Sequence, residues 1–251
     1  MTIDFPKSRD IPALRGLWRE AFGDSEEFLD IFFGTAMDPH RCFVAKDGDR
    51  LAAMLYWFDC TCRGQKTAYL YAAATAKAYR GQGICRKLMA HTHAYLQGLG
   101  YVGTFLVPAE ESLFGFYGKM GYETFCSMED LPCTAHGEPP QLRAIDAAEY
   151  GRLRRDFLPK GAVIQEGENL DFLAAQCDFY AGSDWILAAR KEEGKLLTLE
   201  LLGNPAAAPA ILKALGCDEG TIRVFGQGQP FAMYRPLTAD PAPTYFAFAF
   251  D

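Results

Sequence analysis

The sequence has few histidines and no pair of cysteines spaced for zinc. It contains four histidines and eight cysteines in 251 residues, and no two cysteines stand in a Cys-x-x-Cys arrangement. Cys60 and Cys62, two positions apart, have the wrong spacing for a structural zinc site. We therefore predict no metal, and the same absence argues against a thiol–disulfide redox protein. Thiols without a disulfide framework are typical of a reducing cytoplasm, where we expect this protein to act.

Long apolar runs and an excess of basic residues are also missing. No stretch approaches the ~18 apolar residues that a membrane span needs, and residues 1–10 lack the apolar segment of a secretory signal. The chain carries 25 Lys and Arg against 32 Asp and Glu, for a net charge of −7. Because nucleic-acid binders need a basic surface, we predict neither a nucleic-acid nor a membrane partner. These patterns carry no signal for an oligomeric state.

What the chain does contain is ordinary globular composition, with 49% hydrophobic and 23% charged residues. Its length fits one large domain or two compact ones. Interleaved helix and strand patterns predict an α+β fold with a mixed sheet. Three prolines and a glycine between Leu131 and Leu142 indicate a linker. We therefore predict a first domain over residues 1–133, a linker over 134–142 and a second domain over 143–251.

The second half repeats the element order of the first. In each half the residue pattern predicts a pair of helices, a strand hairpin with a glycine turn, and then a further helix and strand. In the second half, helices are predicted over Asp146–Phe157 and Asn169–Tyr180. Near the C-terminus, the residue pattern predicts strands over Thr221–Phe225, Pro230–Leu237 and Thr244–Phe250.

The segment from Thr75 to Arg86 carries the clearest chemical signal. A strand that ends in small residues runs into the turn Arg80-Gly-Gln-Gly83, which opens a helix. The first amides of a helix lack partners and carry partial positive charge, so they bind anions of pyrophosphate size. The alternative is that the glycines only shape a tight turn. The spacing fits neither a P-loop nor a dinucleotide fingerprint.

A second motif follows, with Tyr117 thirty-four residues after Gly83 in the stretch Phe116-Tyr-Gly-Lys-Met-Gly-Tyr122. Together the two motifs resemble the GNAT superfamily of acetyl-CoA-dependent N-acyltransferases. The first matches the pattern Arg/Gln-x-x-Gly-x-Gly/Ala, and the second matches Phe/Leu-Tyr-x-Lys-x-Gly-Phe/Tyr. The resemblance covers about residues 1–130, and it implies a GNAT-like fold for the first domain.

The resemblance also implies where acetyl-CoA binds and which group acts as acid. The strand ending at Thr75 would separate from the strand Tyr101–Val107, and the pantetheine arm would lie in that wedge. Tyr117 would protonate the departing thiolate as general acid; the alternative is a core tyrosine. The implied cofactor-binding residues are Ala73, Ala74, Thr75, Arg80, Gly81, Gln82, Gly83, Ile84, Cys85, Arg86 and Glu110.

Two positions depart from the family pattern, and the base is not evident. Cys85 stands where the family prefers Gly or Ala, either as a small residue or as a thiol made reactive by the helix N-terminus. Glu110 stands where the family often has Asn, either as a solvated carboxylate or as a base. The other candidates for the base are Tyr69, Tyr71, Asp59 and a chain of waters.

The second half lacks the chemical signals of the first. Its equivalent turn, Gly203–Pro209, has one glycine and no arginine, and Pro205 removes an amide. We predict a degenerate GNAT-like domain that binds no second CoA, is required for turnover and helps to form the acceptor cleft. The alternative is an unrelated α+β domain.

The whole pattern predicts an N-acetyltransferase. It would transfer the acetyl group of acetyl-CoA to a primary amine of a small molecule or peptide, by direct attack and without a metal. The alternative is a non-catalytic acyl-CoA-binding or regulatory protein.

Overall fold

The computed structural model describes residues 1–226 and 228–250. They form an α+β fold that divides into two compact units. The first unit comprises Met1–Glu123 and Met233–Ala242, and the second comprises Thr124–Ala232 and the chain from Pro243 onward. The division therefore assigns ten residues near the C-terminus to the first unit, whereas the sequence predicted that all of 143–251 forms one domain.

The first unit is built from a strand, two helices, three strands, a helix, a strand and a helix. The elements are β1 (Thr2–Asp4), α1 (Ile11–Phe22), α2 (Glu26–Thr35), β2 (Cys42–Asp47), β3 (Arg50–Cys62), β4 (Gln65–Thr75), α3 (Ile84–Gly98), β5 (Gly103–Leu106) and α4 (Glu111–Gly118). The side chain of Ser25 caps α2 by accepting from the Phe28 amide. Asp10 precedes α1 as its N-cap residue, but its carboxylate accepts from the Lys7 amide and Lys46 and not from an amide of the helix.

The sheet of the first unit has the order β1-β2-β3-β4-β5-β12, in which β12 is the strand Gln229–Pro236 near the C-terminus. All neighbours are antiparallel except β4 and β5, which run parallel. The last strand, β12 (Gln229–Pro236), pairs with β5 through its residues Met233–Pro236. Trp18 of α1 packs on Phe32 of α2 and on Tyr71 of β4, with ring centroids 4.5 and 5.6 Å apart. On α3, Leu88, Met89 and Leu96 are buried in the core that includes Trp57 and Leu70.

The second unit repeats this order of elements. The elements are β6 (Glu123–Thr134), β7 (Arg143–Ile145), α5 (Ala147–Phe157), α6 (Glu168–Ala174), β8 (Asp178–Ala181), β9 (Trp185–Glu192), β10 (Lys195–Gly203), α7 (Ala208–Ala214) and β11 (Glu219–Phe225). The sheet of this unit has the order β7-β8-β9-β10-β11-β6, again antiparallel except for the parallel pair β10 and β11.

Two predicted elements of the second half were wrong, and one boundary lies elsewhere. Thr134, the first residue of the predicted linker, is the last residue of β6, which pairs with β11. The helix predicted over Asn169–Tyr180 ends at Ala174, and its last part forms β8, which pairs with β7 and β9. The strand predicted over Thr244–Phe250 is extended chain with one isolated bridge, between Ala162 and Tyr245. In each case long-range pairing, rather than local pattern, decides the outcome.

Candidate active site

The two parallel strands of the first unit separate part-way along their length. Within the described chain, their ladder ends at the pair Tyr69 and Phe105. From there β4 continues for six residues to Thr75. The separation leaves main-chain groups of β4 beyond Tyr69 without a β5 partner. This opening, from residue 70 to residue 75 of β4, is called the wedge below.

A bulge lies in β4 inside the wedge. Met54 pairs with Ala74 and Tyr56 pairs with Tyr71, so two residues of β4 stand opposite Leu55 alone. Ala72 in this bulge has a φ of 50°, which is strained for a residue with a side chain. Such bulges redirect main-chain groups, and they are frequent next to active sites.

The far end of the wedge contains an orphaned polar atom. The hydroxyl oxygen of Thr75 is buried and has no hydrogen-bond partner among the described residues. Because a buried hydroxyl without a partner is unfavourable, this atom indicates a place where a polar ligand fits. The carbonyl of Thr75 accepts from Nε of Arg80 at 3.0 Å, which ties the next segment to the end of the strand.

That next segment is a turn with uncapped amides. Gly81 and Gly83 have φ values of 76° and 72°, which glycine adopts without strain. Gly83 is the N-cap residue of α3, and no side chain among the described residues caps this helix. The first helical amide bond within α3 reaches from Lys87 to the Gly83 carbonyl. The amides of residues 81–86, where the sequence predicts the pyrophosphate, therefore have no partner within the helix.

The predicted cofactor residues are brought together here. Ala73, Ala74 and Thr75 lie on β4 in the wedge, and residues 80–86 follow in the turn and the first turn of α3. Gln82 is exposed and donates to the Ala78 carbonyl. Arg86 is also exposed.

Tyr117 lies near the end of α4 and is 8% exposed. Its ring packs edge-on against Phe116 and Tyr122, with centroids 5.3 and 5.9 Å apart. Burial, with a smaller contribution from Cys85, raises the pKa of the Tyr117 phenol above its usual range. The phenol is therefore protonated at neutral pH, which is the state that a general acid needs.

The two departures from the family pattern have different environments. Cys85 is half-buried, and burial raises the pKa of its thiol to about 11. A protonated thiol is a weak nucleophile, so this environment favours the interpretation of Cys85 as a small residue over that of a reactive thiol. Glu110 is exposed at the N-cap of α4, and it accepts a hydrogen bond from the Ser112 hydroxyl at 2.5 Å.

The residues that are candidates for the base have different surroundings in the structure. Asp59 accepts from the Tyr101 hydroxyl at 2.5 Å and lies 3.7 Å from the Arg41 guanidinium. Tyr69 is buried and stacks on Phe105 at 5.3 Å. Tyr71 packs among Trp18 and its aromatic neighbours. Asp59 and Tyr69 are thus engaged in structural contacts, and no candidate is singled out by its geometry.

Sequence reasoning missed a buried polar contact beside Tyr117. The Tyr122 hydroxyl lies 2.8 Å from Nε2 of His93 and 2.8 Å from Oγ1 of Thr104. In the sequence, Tyr122 is the last residue of the second motif and His93 belongs to neither motif. No local spacing links residues on three separate elements, so the sequence carries no signal for this contact.

Searches for other kinds of site gave negative results over the described residues. No group of three or more His, Cys, Asp or Glu side chains in residues 1–226 and 228–250 is arranged to hold a metal ion. In the same residues, no helix is both long and apolar enough to span a bilayer.

Comparison with known families decides the classification. The model of the acetyltransferase (GNAT) domain matches residues 2–125. The chain belongs to the GNAT acetyltransferases. It is therefore an N-acyltransferase, and the family it belongs to uses acetyl-CoA. A search of curated proteins finds no match to this acetyltransferase.

Solved structures similar to the acetyltransferase share its fold over nearly the whole chain. A GCN5-related N-acetyltransferase from Kribbella flavida is 16% identical, with a TM-score of 0.73 over 95% of this chain and 71% of its own. One from Anabaena variabilis is 18% identical, with a TM-score of 0.71 over 94% and 73%. One from Sphaerobacter thermophilus is 13% identical, with a TM-score of 0.59 over 98% of each chain. At these identities the likeness establishes the fold.

Proposed function

We propose that this acetyltransferase transfers the acetyl group of acetyl-CoA to a primary amine of a small molecule or peptide. The observation that carries the proposal is the wedge between β4 and β5, which leads directly into the uncapped turn at the start of α3. A strand edge and a set of free amides in series suit a ligand that has an amide-containing arm and a pyrophosphate.

The proposed placement of acetyl-CoA follows from these features. The pantetheine amides would pair with main-chain groups of Ala73–Thr75, with the orphaned Thr75 hydroxyl as a further partner. The pyrophosphate would lie on the amides of residues 81–86, where the helix dipole and the cations of Arg80 and Arg86 favour negative charge. Glu110 would lie beside the cofactor at the start of α4.

The proposed reaction is direct attack of a neutral amine on the thioester carbonyl. Negative charge develops on the carbonyl oxygen, and main-chain N–H groups of the β4 bulge would stabilise it. The C–S bond then breaks, the sulfur takes a proton from the Tyr117 hydroxyl, and the amine nitrogen releases one proton to water as the amide forms. The raised pKa of Tyr117 keeps the phenol protonated at neutral pH, so the proton is present when the thiolate forms.

We propose that the second unit binds no CoA. Where β10 and β11 separate, the Thr198 hydroxyl accepts from the Arg223 amide at 2.8 Å, so the first main-chain donor of this opening is already used. Pro205 begins a short 3₁₀ helix that is capped by Asn204, whose side chain accepts from the Ala206 amide at 3.1 Å. These contacts leave fewer free donors than the turn before α3 offers.

Calorimetric titration with acetyl-CoA, followed by a thiol-release assay over a panel of amines, tests the proposal. We expect one equivalent of acetyl-CoA per chain and amine-dependent release of CoA. Absence of binding would contradict the proposal altogether. Binding without release on any amine would instead support a non-catalytic acyl-CoA-binding protein. Two equivalents per chain would contradict the proposal for the second unit.

A further inference from the structure

One buried hydroxyl ties together three elements of the first unit. The Tyr122 hydroxyl contacts Nε2 of His93 on α3 and Oγ1 of Thr104 on β5, both at 2.8 Å. Tyr122 itself lies in the short connection after α4. The exposed fractions of these side chains are 2% for Tyr122, 6% for His93 and 0% for Thr104. The contact is therefore shielded from water.

The three elements are the ones that frame the proposed site. Thr104 immediately precedes Phe105, where the β4–β5 ladder ends and the wedge begins. Nine residues before His93 on the same helix, Ile84 begins α3 at the proposed pyrophosphate turn. The connection after α4 carries Tyr122 only five residues beyond Tyr117.

Tyr122 is also held directly against Tyr117. Its amide donates to the Tyr117 carbonyl at 3.3 Å, and the two rings meet edge-on with centroids 5.9 Å apart. A shift of the Tyr122 ring would therefore move the ring of Tyr117. Because buried side chains are closely packed, neither ring can shift without disturbing its neighbours.

We infer that Tyr122, anchored by Thr104 and His93, is a positioning residue that holds the Tyr117 hydroxyl in line with the departing sulfur of CoA. The inference rests on the proposed role of Tyr117 as general acid. In that step the O–H bond of Tyr117 breaks, an S–H bond forms on CoA, and the phenolate later regains a proton from solvent. In this step Tyr122 contacts neither the substrate nor the proton that Tyr117 transfers.

The chemistry of the anchor suits a fixed geometry. A phenol hydroxyl donates one hydrogen bond and accepts another, so His93 and Thr104 together satisfy it. Burial, and secondarily the positive charge of Arg235, lower the pKa of His93 to about 4, so its ring is neutral at physiological pH. A neutral ring can accept from Tyr122 while Thr104 donates, or the reverse. Either arrangement leaves the Tyr122 hydroxyl without freedom to rotate.

The test uses Tyr122→Phe and Thr104→Val, which remove one hydroxyl each and keep the shape of the side chain. We expect kcat to fall by about tenfold or more in each, since small misplacements of a catalytic group have effects of this order. The affinity for acetyl-CoA and the KM for the amine should stay within about twofold. In a Tyr117→Phe background, Tyr122→Phe should cause no further loss, because the group that it positions is already gone.

Matched controls separate positioning from packing. Thr92→Val removes another buried hydroxyl from α3, one that bonds only to the Leu88 carbonyl, and it should leave kcat unchanged. Thr104→Ser keeps the hydroxyl and should restore most of the activity. If a Tyr122→Phe protein does not fold, as judged by its melting transition, Thr104→Val carries the test.

Several outcomes would overturn the inference. Wild-type kcat in folded Tyr122→Phe and Thr104→Val, together with a strong loss in Tyr117→Phe, would leave the general acid intact and remove the positioning role. Equal losses from Tyr122→Phe in both backgrounds would show a structural effect only. A fully active Tyr117→Phe protein would remove the acid and the inference together, whereas failure to bind acetyl-CoA would mark the failure of the proposed function itself.

Discussion

In the first unit the parallel ladder ends at Tyr69 and Phe105, and in the second unit the equivalent ladder between β10 and β11 ends at Leu197 and Thr221. Ala72 on β4 and Glu200 on β10 each lie three residues beyond the end of the parallel ladder in their unit. Each is next to a shift in register between its strand and the preceding strand. The two units therefore keep the same opening and the same bulge. They differ in the side chains placed there.

The helices that face these bulges differ in the same way. The fourth and eighth residues of α1 are Leu14 and Trp18, which line a small apolar cavity together with Ala72. The fourth and eighth residues of α5 are Tyr150 and Arg154. Both bind Glu200, Arg154 through two hydrogen bonds of 2.7 and 2.9 Å and Tyr150 through one of 2.8 Å.

In the second unit, side chains thus fill what the first unit leaves as an apolar cavity. The Tyr245 hydroxyl adds a fourth hydrogen bond to Glu200, at 2.9 Å. β11 ends at Phe225 and β12 begins at Gln229, so within the described residues of the second unit no helix follows β11 as α4 follows β5. The two units thus share the main-chain register at the opening and differ in the side chains that face it.

The largest effect is expected from Tyr117→Phe, because it removes the hydroxyl of the proposed general acid on α4 of the first unit. We expect kcat to fall by roughly 10²–10⁴-fold, with acetyl-CoA affinity nearly unchanged, as for loss of a general acid. The loss should shrink above about pH 8.5, where a thiolate leaves without protonation. Steady-state rates from pH 6 to 10 measure both effects. Wild-type turnover in the variant would show that Tyr117 is a packing residue.

Breaking the ion pair of the second unit should have the next largest effect. Arg154 and Glu200 are almost completely buried, so Glu200→Gln leaves the arginine charge uncompensated. We expect the free energy of unfolding to fall by about 3–5 kcal/mol. Replacing both, as Arg154→Met with Glu200→Leu, should cost far less, since it recreates the apolar character of the first unit.

Chemical denaturation measures these changes. The exposed pair Arg155 and Glu166 offers a control, where Glu166→Gln should change stability by less than about 1 kcal/mol. A single Glu200→Gln variant as stable as the wild type would contradict the comparison, because the network would then contribute no more than a surface pair.

How much of this was accessible from sequence depends on the range of the interactions. The turn before α3 and the helix that it opens follow from a local motif, and both stand where the motif predicts them. The bulge at Ala72 and the end of the ladder at Tyr69 are matters of register between strands, which a single sequence does not encode locally.

The wrong predictions have the same cause. Phe179 and its neighbours have apolar spacing compatible with a helix or a strand, and pairing with β7 and β9 decides for the strand. Met233–Pro236 belongs to the first unit because it pairs with β5, more than a hundred residues earlier in the chain. The contact of His93 with Tyr122 was equally inaccessible, since it joins residues 29 positions apart.

The buried His93 should make the first unit sensitive to acid. Its pKa is lowered from 6.5 to about 4 in the folded chain, by burial and by Arg235. Below pH 6.5 the unfolded chain binds this proton while the folded chain does not, so stability falls between about pH 6.5 and 4. The loss is as much as about 3 kcal/mol. In His93→Gln that dependence should be weaker by this amount, measured by denaturation at pH 7 and 4.5. An unchanged pH dependence would contradict the burial of a neutral ring.

Gly83→Val tests the proposed anion site of the first unit. A valine at a φ of 72° is strained and places its side chain at the amides of the turn. We expect the Kd for acetyl-CoA to rise by about tenfold or more, which corresponds to about 1.4 kcal/mol. Gly100→Val is the matched control, since Gly100 also has a positive φ, of 81°, and no atom near its Cβ position, but lies beyond the other end of α3. Equal affinity losses in both variants would point to a general structural defect instead.

The smallest effect concerns the strain that distinguishes the two bulges. Ala72 has a positive φ, whereas Leu199 and Glu200 of the second bulge are not among the non-glycine residues with positive φ in the described chain. Ala72→Gly should relieve this strain and raise the free energy of unfolding by about 1 kcal/mol, because glycine tolerates that conformation. Ala74→Gly, two residues along the same strand and with an ordinary φ, should lower it by about 0.5–1 kcal/mol.

If the strained bulge aims main-chain donors at the thioester oxygen, Ala72→Gly should also lower kcat, since a looser main chain is less well organised before the reaction. Higher stability with lower turnover is therefore the expected signature, and an Ala72→Gly protein that gains stability with no loss of turnover would show that the bulge is strained without serving the reaction.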